Sequence, residues 1–166
     1  MDKQLRSLLK SILYAFGGLW YAIRTQRNMR IHLTAAVGVL WLSWYFPFSS
    51  GDYVSLMVTI GMVISAELVN TAIEAALDRQ SRHIDRYAKI AKDTAAAAVL
   101  ICAAVSLGVA GVLFFGSPQG FLAFYEAYCT SLWGILILVA AIGIGTAFVF
   151  VPPDSYCRPD QRKLQR

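Results

Sequence analysis

Residues 67–93, ELVNTAIEAALDRQSRHIDRYAKIAKD, join the end of one apolar run to a charged stretch and to the start of another apolar run. The first part carries four polar residues, Glu67, Asn70, Glu74 and Asp78. Their spacing of three, four and four residues places them on one face of an α-helix. A carboxylate that faces lipid costs several kcal/mol, whereas one that faces a protein interior or a wet cavity is tolerated. The stripe therefore predicts either a functional site or polar contacts that hold helices together.

The composition predicts an integral membrane protein. Of the 166 residues, 57% are hydrophobic and 15% are charged, and the mean hydropathy is +0.54. A soluble chain of this length has too little interior to bury so much apolar surface. The net charge is +5, but the basic residues flank the apolar runs. They therefore indicate contact with anionic lipid headgroups, and no nucleic acid is expected as a partner.

The apolar runs predict an all-α membrane protein, because each run is bounded by turn-forming or charged residues. Leucines and aromatic residues at helical spacing predict an amphipathic helix that lies in the membrane interface over residues 3–24. Three core transmembrane helices are expected at about 31–46, 53–77 and 93–115, and a fourth, C-terminal one at about 131–151. The first of these runs is short for a span of roughly 20 residues.

The chain divides into two parts by the position of its polar residues. Residues 1–117 form the expected membrane domain with the polar stripe. Residues 118–166 form an extension that carries the fourth crossing and a polar tail. No acid, base or amide lies between residues 131 and 151. We therefore expect the chemistry to need no side chain from the extension.

The distribution of basic residues predicts the orientation in the membrane. Of the fifteen Lys and Arg residues, six precede the first crossing, five lie in residues 79–92, and four lie in the C-terminal tail. Basic residues concentrate in the segments that stay in the cytoplasm. Both termini and the loop before the third crossing are therefore expected on the cytoplasmic side.

A polar path that descends into the bilayer suits an ion carrier, a partner-binding protein or an enzyme that joins a soluble reactant to a lipid. Phosphoryl transfer fits the residue types, because Glu74 and Asp78 offer the oxygen ligands that Mg²⁺ needs. Lys92 can neutralise phosphate oxygens, and amides opening a helix at Asp93 could receive one. Asp93 itself is expected to cap that helix or to pair with Lys92. Glu67, deeper in the membrane, could accept a proton from a lipid hydroxyl. An ion-coupled carrier remains equally open on these grounds.

Three segments together resemble one family of small bacterial membrane kinases, which comprises diacylglycerol kinase and undecaprenol kinase. They are ELVNTAIEAALD, AKIAKDTAAAAVL and RNMRIHL, and the resemblance covers about residues 3–115. It implies an ATP- and Mg²⁺-dependent kinase that phosphorylates a membrane lipid alcohol, with undecaprenol the first choice and diacylglycerol the second. It further implies a homotrimer with active sites shared between subunits, in the bacterial inner membrane.

The resemblance also implies roles for individual residues. Glu67 is the implied general base. The implied substrate contacts are Glu67, Asn70, Asn28 and Arg30. The implied metal ligands are Glu74 and Gln26. The implied nucleotide contacts are Tyr14, Gln26, Glu74, His83, Asp85, Lys92 and Asp93.

Three features depart from the family pattern, and one of them is the fourth crossing with the tail, which lies outside the family's three-crossing arrangement. Gln26 stands where the family has a metal-binding glutamate, so one ligand brings no charge. The loop reads SRHIDRY in place of a sequence close to P-E-Y-H-P-L, which changes the identities at His83 and Asp85. These departures keep an alternative open, a non-catalytic polytopic membrane protein such as an ion-coupled carrier or an assembly partner.

Overall fold

The regular structure of the chain is helical throughout its described part. The structure, a computed structural model, describes residues 3–80 and 86–151. Within these ranges every regular element is an α-helix, which confirms the predicted all-α class. The helices are α1 (Lys3–Thr25), α2 (Arg27–Ser43), α3 (Ser50–Gln80), α4 (Arg86–Phe115), α5 (Gln119–Tyr128) and α6 (Leu132–Phe150).

Three of these helices are long and apolar enough to cross a membrane. They are Ser50–Arg79 within α3, the whole of α4 and the whole of α6. Helix α2 has 17 residues and extends over about 26 Å, less than the roughly 30 Å of a hydrocarbon core. The chain is thus a multi-pass membrane protein, and the crossing by α2 stays a prediction.

The start of α3 is set by a reciprocal cap. The backbone N–H of Ser49 donates to Oδ2 of Asp52 at 2.8 Å, and the N–H of Asp52 donates to Oγ of Ser49 at 3.3 Å. This exchange supplies partners for two backbone donors that a helix start leaves open. Pro47, just before the cap, lacks a backbone donor and disfavours helical geometry at the residue before it. The chain therefore turns between α2 and α3.

Helix α4 begins earlier than the sequence predicts. It starts at Arg86, so Asp93 lies inside the helix rather than at its first residue. Charged side chains there are compatible with a helix because Lys89 and Asp93, four residues apart, pair on its surface at 3.4 Å. The expectations that Asp93 caps the helix, and that free amides at this position receive a phosphate, are therefore wrong.

Helix α3 contacts α1, α2 and α4, and its contact with α4 is the most extensive. Helix α2 also lies against α6, and α5 lies against α6. An aromatic cluster joins α2 to α5, where Trp41 Nε1 and the Tyr45 hydroxyl donate to the Tyr128 hydroxyl at 3.1 and 2.7 Å. Gly120 lies so close to Phe46 that an added Cβ would come within 2.4 Å of the ring. These contacts fix the C-terminal helices on the rest of the bundle.

Helix α1 keeps its apolar side chains exposed. Leu8, Leu13 and Phe16 are 57%, 68% and 65% exposed, although they belong to the apolar face of the helix. An apolar face without a protein partner suits a helix that lies in the membrane interface. The interfacial position of α1 remains a prediction.

Candidate active site

The four polar side chains of the stripe become less exposed toward the middle of α3. Asp78 is exposed and Glu74 is half-buried, whereas Asn70 and Glu67 are 5% and 1% exposed. Their helical spacing accounts for the shared face. A polar path therefore runs from the surface into the membrane-spanning part of α3.

Glu74 is the meeting point of two amide side chains. Nε2 of Gln26 donates to Oε2 of Glu74 at 3.4 Å, and Nδ2 of Asn70 donates to Oε1 at 3.2 Å. Gln26 lies at the break between α1 and α2, 48 residues from Glu74 along the chain. The structure thus brings together the two residues that the resemblance assigns to metal binding.

The oxygen atoms of Glu74 and of the amide side chains around it are suitable ligands for Mg²⁺. A carboxylate and amide carbonyl oxygens are hard ligands of the kind that Mg²⁺ prefers. Oδ1 of Asn70 is buried and has no hydrogen-bond partner in the described part of the chain, so an oxygen is left over for a cation. Among residues 3–80 and 86–151, no three His, Cys, Asp or Glu side chains form a group that could hold a metal. Mg²⁺ at a nucleotide site needs few protein ligands, because phosphates and waters complete its shell.

Glu67 lies deeper, in a cavity of about 260 Å³. The polar part of the lining comes from Asn28, His32 and Asn70, and the remainder is apolar. Oε2 of Glu67 is buried without a hydrogen-bond partner among the described residues. Leaving a buried polar atom unpaired costs free energy. The carboxyl group is therefore poised for a ligand that donates a hydrogen bond.

An apolar groove continues from this cavity between α2, α3 and α4. The two share Ile31, His32 and Ala103, and the groove has a volume of about 290 Å³. Its other walls are largely aliphatic and include Val39, Leu56, Ile60, Val63, Ile64 and Leu107. A molecule with one polar end and an apolar chain matches this polarity when its polar end lies at Glu67.

Lys92 joins α4 to the exposed end of the stripe. Its ammonium group pairs with Oδ1 of Asp78, and both side chains are partly exposed. Asp93 pairs with Lys89 instead, which corrects the expectation that Asp93 pairs with Lys92. Exposed pairs of this kind contribute little to stability, so the Lys92 ammonium can leave Asp78 for another anion at small cost.

Comparison with known proteins shows to which family the chain belongs. Residues 13–114 match the family of prokaryotic diacylglycerol kinases. The chain belongs to this family.

Two relatives bear on the lipid that such a kinase uses. An undecaprenol kinase of Bacillus subtilis is 37% identical over 112 residues, which cover 68% of this chain and 90% of that protein. A diacylglycerol kinase of Synechocystis sp. is 41% identical over 110 residues, which cover 64% of this chain and 62% of that protein. No solved structure matches the chain. The predicted family is thus confirmed and the protein is a lipid kinase, which decides against the non-catalytic alternative.

Among the described residues, Tyr14 lies apart from the cluster around Glu74 in the kinase structure. Tyr14 is 76% exposed and precedes Gln26 by twelve residues, about 18 Å along a helix. His83 and Asp85 lie outside the described residues. Their nucleotide contacts remain predictions.

Arg30 is buried, and its guanidinium group faces backbone oxygens rather than the cavity. Nε donates to the carbonyl oxygen of Val149 at 3.3 Å. Nη1 donates to the carbonyl oxygens of Ile23 and Arg24 at 3.1 and 3.2 Å. The predicted substrate contact of Arg30 stays untested, while Asn28, its partner in that prediction, does line the cavity.

His32 is the lining residue that sequence reasoning undervalued. A histidine at the membrane entry is more commonly a headgroup or carbonyl contact than a part of the site. His32 lines both the polar cavity and the apolar groove. Its spacing of four residues from Asn28 is the signal that could have placed it on the same face.

Proposed function

We propose that this lipid kinase transfers the γ-phosphoryl group of ATP, with Mg²⁺, to the hydroxyl group of undecaprenol, with diacylglycerol as the second choice of acceptor. The observation that carries the proposal is the unpartnered Oε2 atom of Glu67, a residue that lines a cavity continuing as an apolar groove. A lipid alcohol has the matching pattern, since one hydroxyl group terminates a long apolar chain. The hydroxyl group would meet Glu67 while the chain follows the groove.

Glu67 acts as the general base in this proposal. Its Oε2 atom accepts the proton of the lipid hydroxyl group as the hydroxyl oxygen forms a bond to the γ-phosphorus. The bond between that phosphorus and the bridging oxygen breaks, and ADP leaves with the electron pair. A positioned base typically contributes about 10²–10⁴-fold in rate. Asn70 lines the cavity of Glu67 and contacts Glu74, so it connects the base to the metal ligands.

Glu74, Asn70 and Gln26 would hold the metal ion through oxygen atoms. When bound, Mg²⁺ neutralises charge on the phosphates during transfer. The amide group of Gln26 would turn so that Oε1, rather than Nε2, faces the metal ion. The orientation of such an amide group depends on its hydrogen-bond partners. Because an amide carries no charge, we propose that the metal is held more weakly here than with a glutamate at this position.

Lys92 is the proposed contact for the nucleotide phosphates. It lies beside the stripe on α4, and its partner Asp78 is exposed. Asp93 is retained as a proposed nucleotide contact, together with His83 and Asp85. Tyr14 completes the proposed set.

Undecaprenol is placed first among acceptors for two reasons. The match to an undecaprenol kinase extends over 90% of the length of that protein. The aliphatic walls of the groove also suit an isoprenoid chain, which has no polar group beyond its hydroxyl end. Diacylglycerol carries two ester groups that would have to enter the same apolar groove, where unpaired polar atoms are costly.

We also propose a homotrimer in the bacterial inner membrane, with both termini cytoplasmic and with active sites shared between subunits. The distance of about 18 Å along α1 between Tyr14 and Gln26 supports sharing, because a nucleotide contact by Tyr14 would then come from a neighbouring subunit. Residues 1–117 would form the kinase domain. Residues 118–166 would form an extension to it.

Lipid phosphorylation by the purified full-length protein tests the proposal. In mixed micelles with radiolabelled ATP, label should enter undecaprenol in the presence of Mg²⁺ and should be lost with a chelator. Parallel reactions with diacylglycerol, with no added lipid and with the Glu67→Gln variant serve as controls. Label in diacylglycerol alone would change the acceptor, whereas a folded protein that labels neither lipid would contradict the proposal.

A further inference from the structure

Helix α6 lies outside the matched residues 13–114 but packs directly on α2. The contact is close at Gly145, where an added Cβ would come within 3.0 Å of Cγ2 of Thr34. At the end of α6, the guanidinium group of Arg27 lies over the ring of Phe150, 5.2 Å from its centroid. The extension is thus in contact with the part of the chain that carries Gln26 and Asn28.

Arg30 links the ends of two helices. Its Nε donates to the carbonyl oxygen of Val149, in the last turn of α6. Its Nη1 donates to the carbonyl oxygens of Ile23 and Arg24, in the last turn of α1. The final carbonyl groups of a helix lack partners within it and carry partial negative charge. A buried guanidinium group, which has several donors in a rigid plane, satisfies both ends at once.

The break between α1 and α2 lies inside this linkage. Gln26 has an extended backbone there, with φ −102° and ψ 117°, and it follows the two carbonyl groups that Arg30 holds. The side chain of Gln26 reaches Glu74 from this break. Asn28, two residues further on, lines the cavity of Glu67. The position of the break therefore decides where two candidate site residues lie.

We propose that α6 is a brace for the active site, which acts through Arg30 to hold the break between α1 and α2 in the position that presents Gln26 to Glu74. Arg30 is then a positioning residue, and the last turn of α6 supplies its third carbonyl acceptor. The extension still contributes no side chain to the chemistry. This inference rests on the proposed function only in that it takes Gln26 to be a metal ligand.

Two glycines of α6 offer a matched pair of variants. Gly145→Leu places a side chain against Thr34 and should move α6 away from α2. Gly143→Leu makes the same change in the same helix at a position with no atom within 4 Å of the added Cβ. Because the helix propensity change is the same in both variants, they differ in the contact with α2.

Mg²⁺ dependence is the kinetic readout. For Gly145→Leu we expect the half-saturating Mg²⁺ concentration to rise by about tenfold, as for other residues that orient metal ligands. Turnover at saturating Mg²⁺ should change less, and Gly143→Leu should match the original protein. If Gly145→Leu only lowers the amount of active enzyme and leaves the Mg²⁺ dependence unchanged, the brace is wrong.

A distance measurement tests the brace without relying on catalysis. Nitroxide labels at Tyr21 on α1 and at Arg79 on α3, in a full-length cysteine-free background, report the position of α1 by pulsed electron resonance. Dilution with unlabelled protein removes distances between subunits. The distribution should shift or broaden in Gly145→Leu and remain unchanged in Gly143→Leu.

Arg30→Lys gives a second route to the same distances, for use if Gly145→Leu does not fold. A lysine keeps the charge but has one donor centre, which cannot reach the carbonyl groups of both helices. The distribution should broaden as in Gly145→Leu, and combining the two changes should add little, because both break one linkage. Unchanged distances in either variant would overturn the brace even if lipid phosphorylation is fully established. Altered distances in a protein that phosphorylates no lipid would leave the brace standing and contradict the proposed function.

Discussion

Helices α3 and α6 are both long and apolar enough to span a membrane, yet they relate to their surroundings in opposite ways. Helix α3 buries Thr59, Glu67, Asn70 and Thr71. Helix α6 buries only Gly134 and Val149 among its residues, and most of its surface faces outward. Both helices therefore suit a lipid environment, but α3 buries polar side chains and α6 does not.

The state of the polar atoms separates the two helices. Glu67 Oε2 and Asn70 Oδ1 are buried without hydrogen-bond partners among the described residues. In α6, by contrast, the hydroxyl group of Thr146 donates to the carbonyl oxygen of Ile142, and Ser131 Oγ caps the helix start. Unpaired buried atoms are costly unless a ligand completes them. We therefore expect large functional effects from polar substitutions in α3 and small ones across the outward face of α6.

The largest expected effect is that of Glu67→Gln. The amide keeps the size of the side chain but cannot accept the hydroxyl proton as a base, so turnover should fall by about 10²-fold or more. Glu126→Gln, on exposed α5, makes the same chemical change away from the cavity and should leave turnover intact. Turnover measured with saturating ATP and lipid checks this, and an active Glu67→Gln enzyme would remove Glu67 from the mechanism.

Glu74→Ala should come next, with an effect on metal dependence. It removes the carboxylate that Gln26 and Asn70 contact, and we expect the half-saturating Mg²⁺ concentration to rise by at least about tenfold. Glu74→Gln, which keeps one oxygen ligand without its charge, should be affected less. An Mg²⁺ titration of activity makes the comparison, and normal dependence in both variants would place the metal elsewhere.

Lys92→Ala should raise the KM for ATP by about tenfold, which corresponds to one charge-assisted hydrogen bond of ~1.5 kcal/mol. Lys89→Ala is the control, because Lys89 lies one turn earlier on α4 and pairs on the surface with Asp93. Steady-state kinetics with varied ATP separates KM from turnover. Equal KM values for the two variants would mean that Lys92 does not contact the phosphates.

Ile142→Ala, a substitution in α6, should have the smallest effect and tests the expected difference between α6 and α3. Ile142 is 61% exposed, so turnover and Mg²⁺ dependence should stay within about twofold. Stability should change by no more than about 0.5 kcal/mol, as for most exposed substitutions. Thermal unfolding in detergent and the lipid kinase assay check both values. A large kinetic change would show that the outward face of α6 takes part in the site.

The sequence predicted local features of the fold better than helix limits. The shared face of Glu67, Asn70 and Glu74 follows from their spacing, which needs no knowledge of the rest of the chain. The sequence places the start of the third crossing near Asp93, because the charged residues before it are typical of a loop, whereas α4 begins at Arg86. Charges four residues apart stabilise a helix surface as readily as they occur in loops, so composition alone could not place that boundary.

What the sequence by itself determined is the membrane class and the polar stripe of α3, because hydropathy and helical periodicity are local properties of the chain. The kinase family followed from the resemblance of three segments to a known family. Only the tertiary structure decided which polar groups meet. Gln26 reaches Glu74 across 48 residues, and Arg30 reaches Val149 across 119 residues. Such contacts depend on how helices pack against one another, which the spacing within one helix does not specify. The cavity at Glu67, the groove beyond it and the contact of α6 with the break at Gln26 arise in the same way.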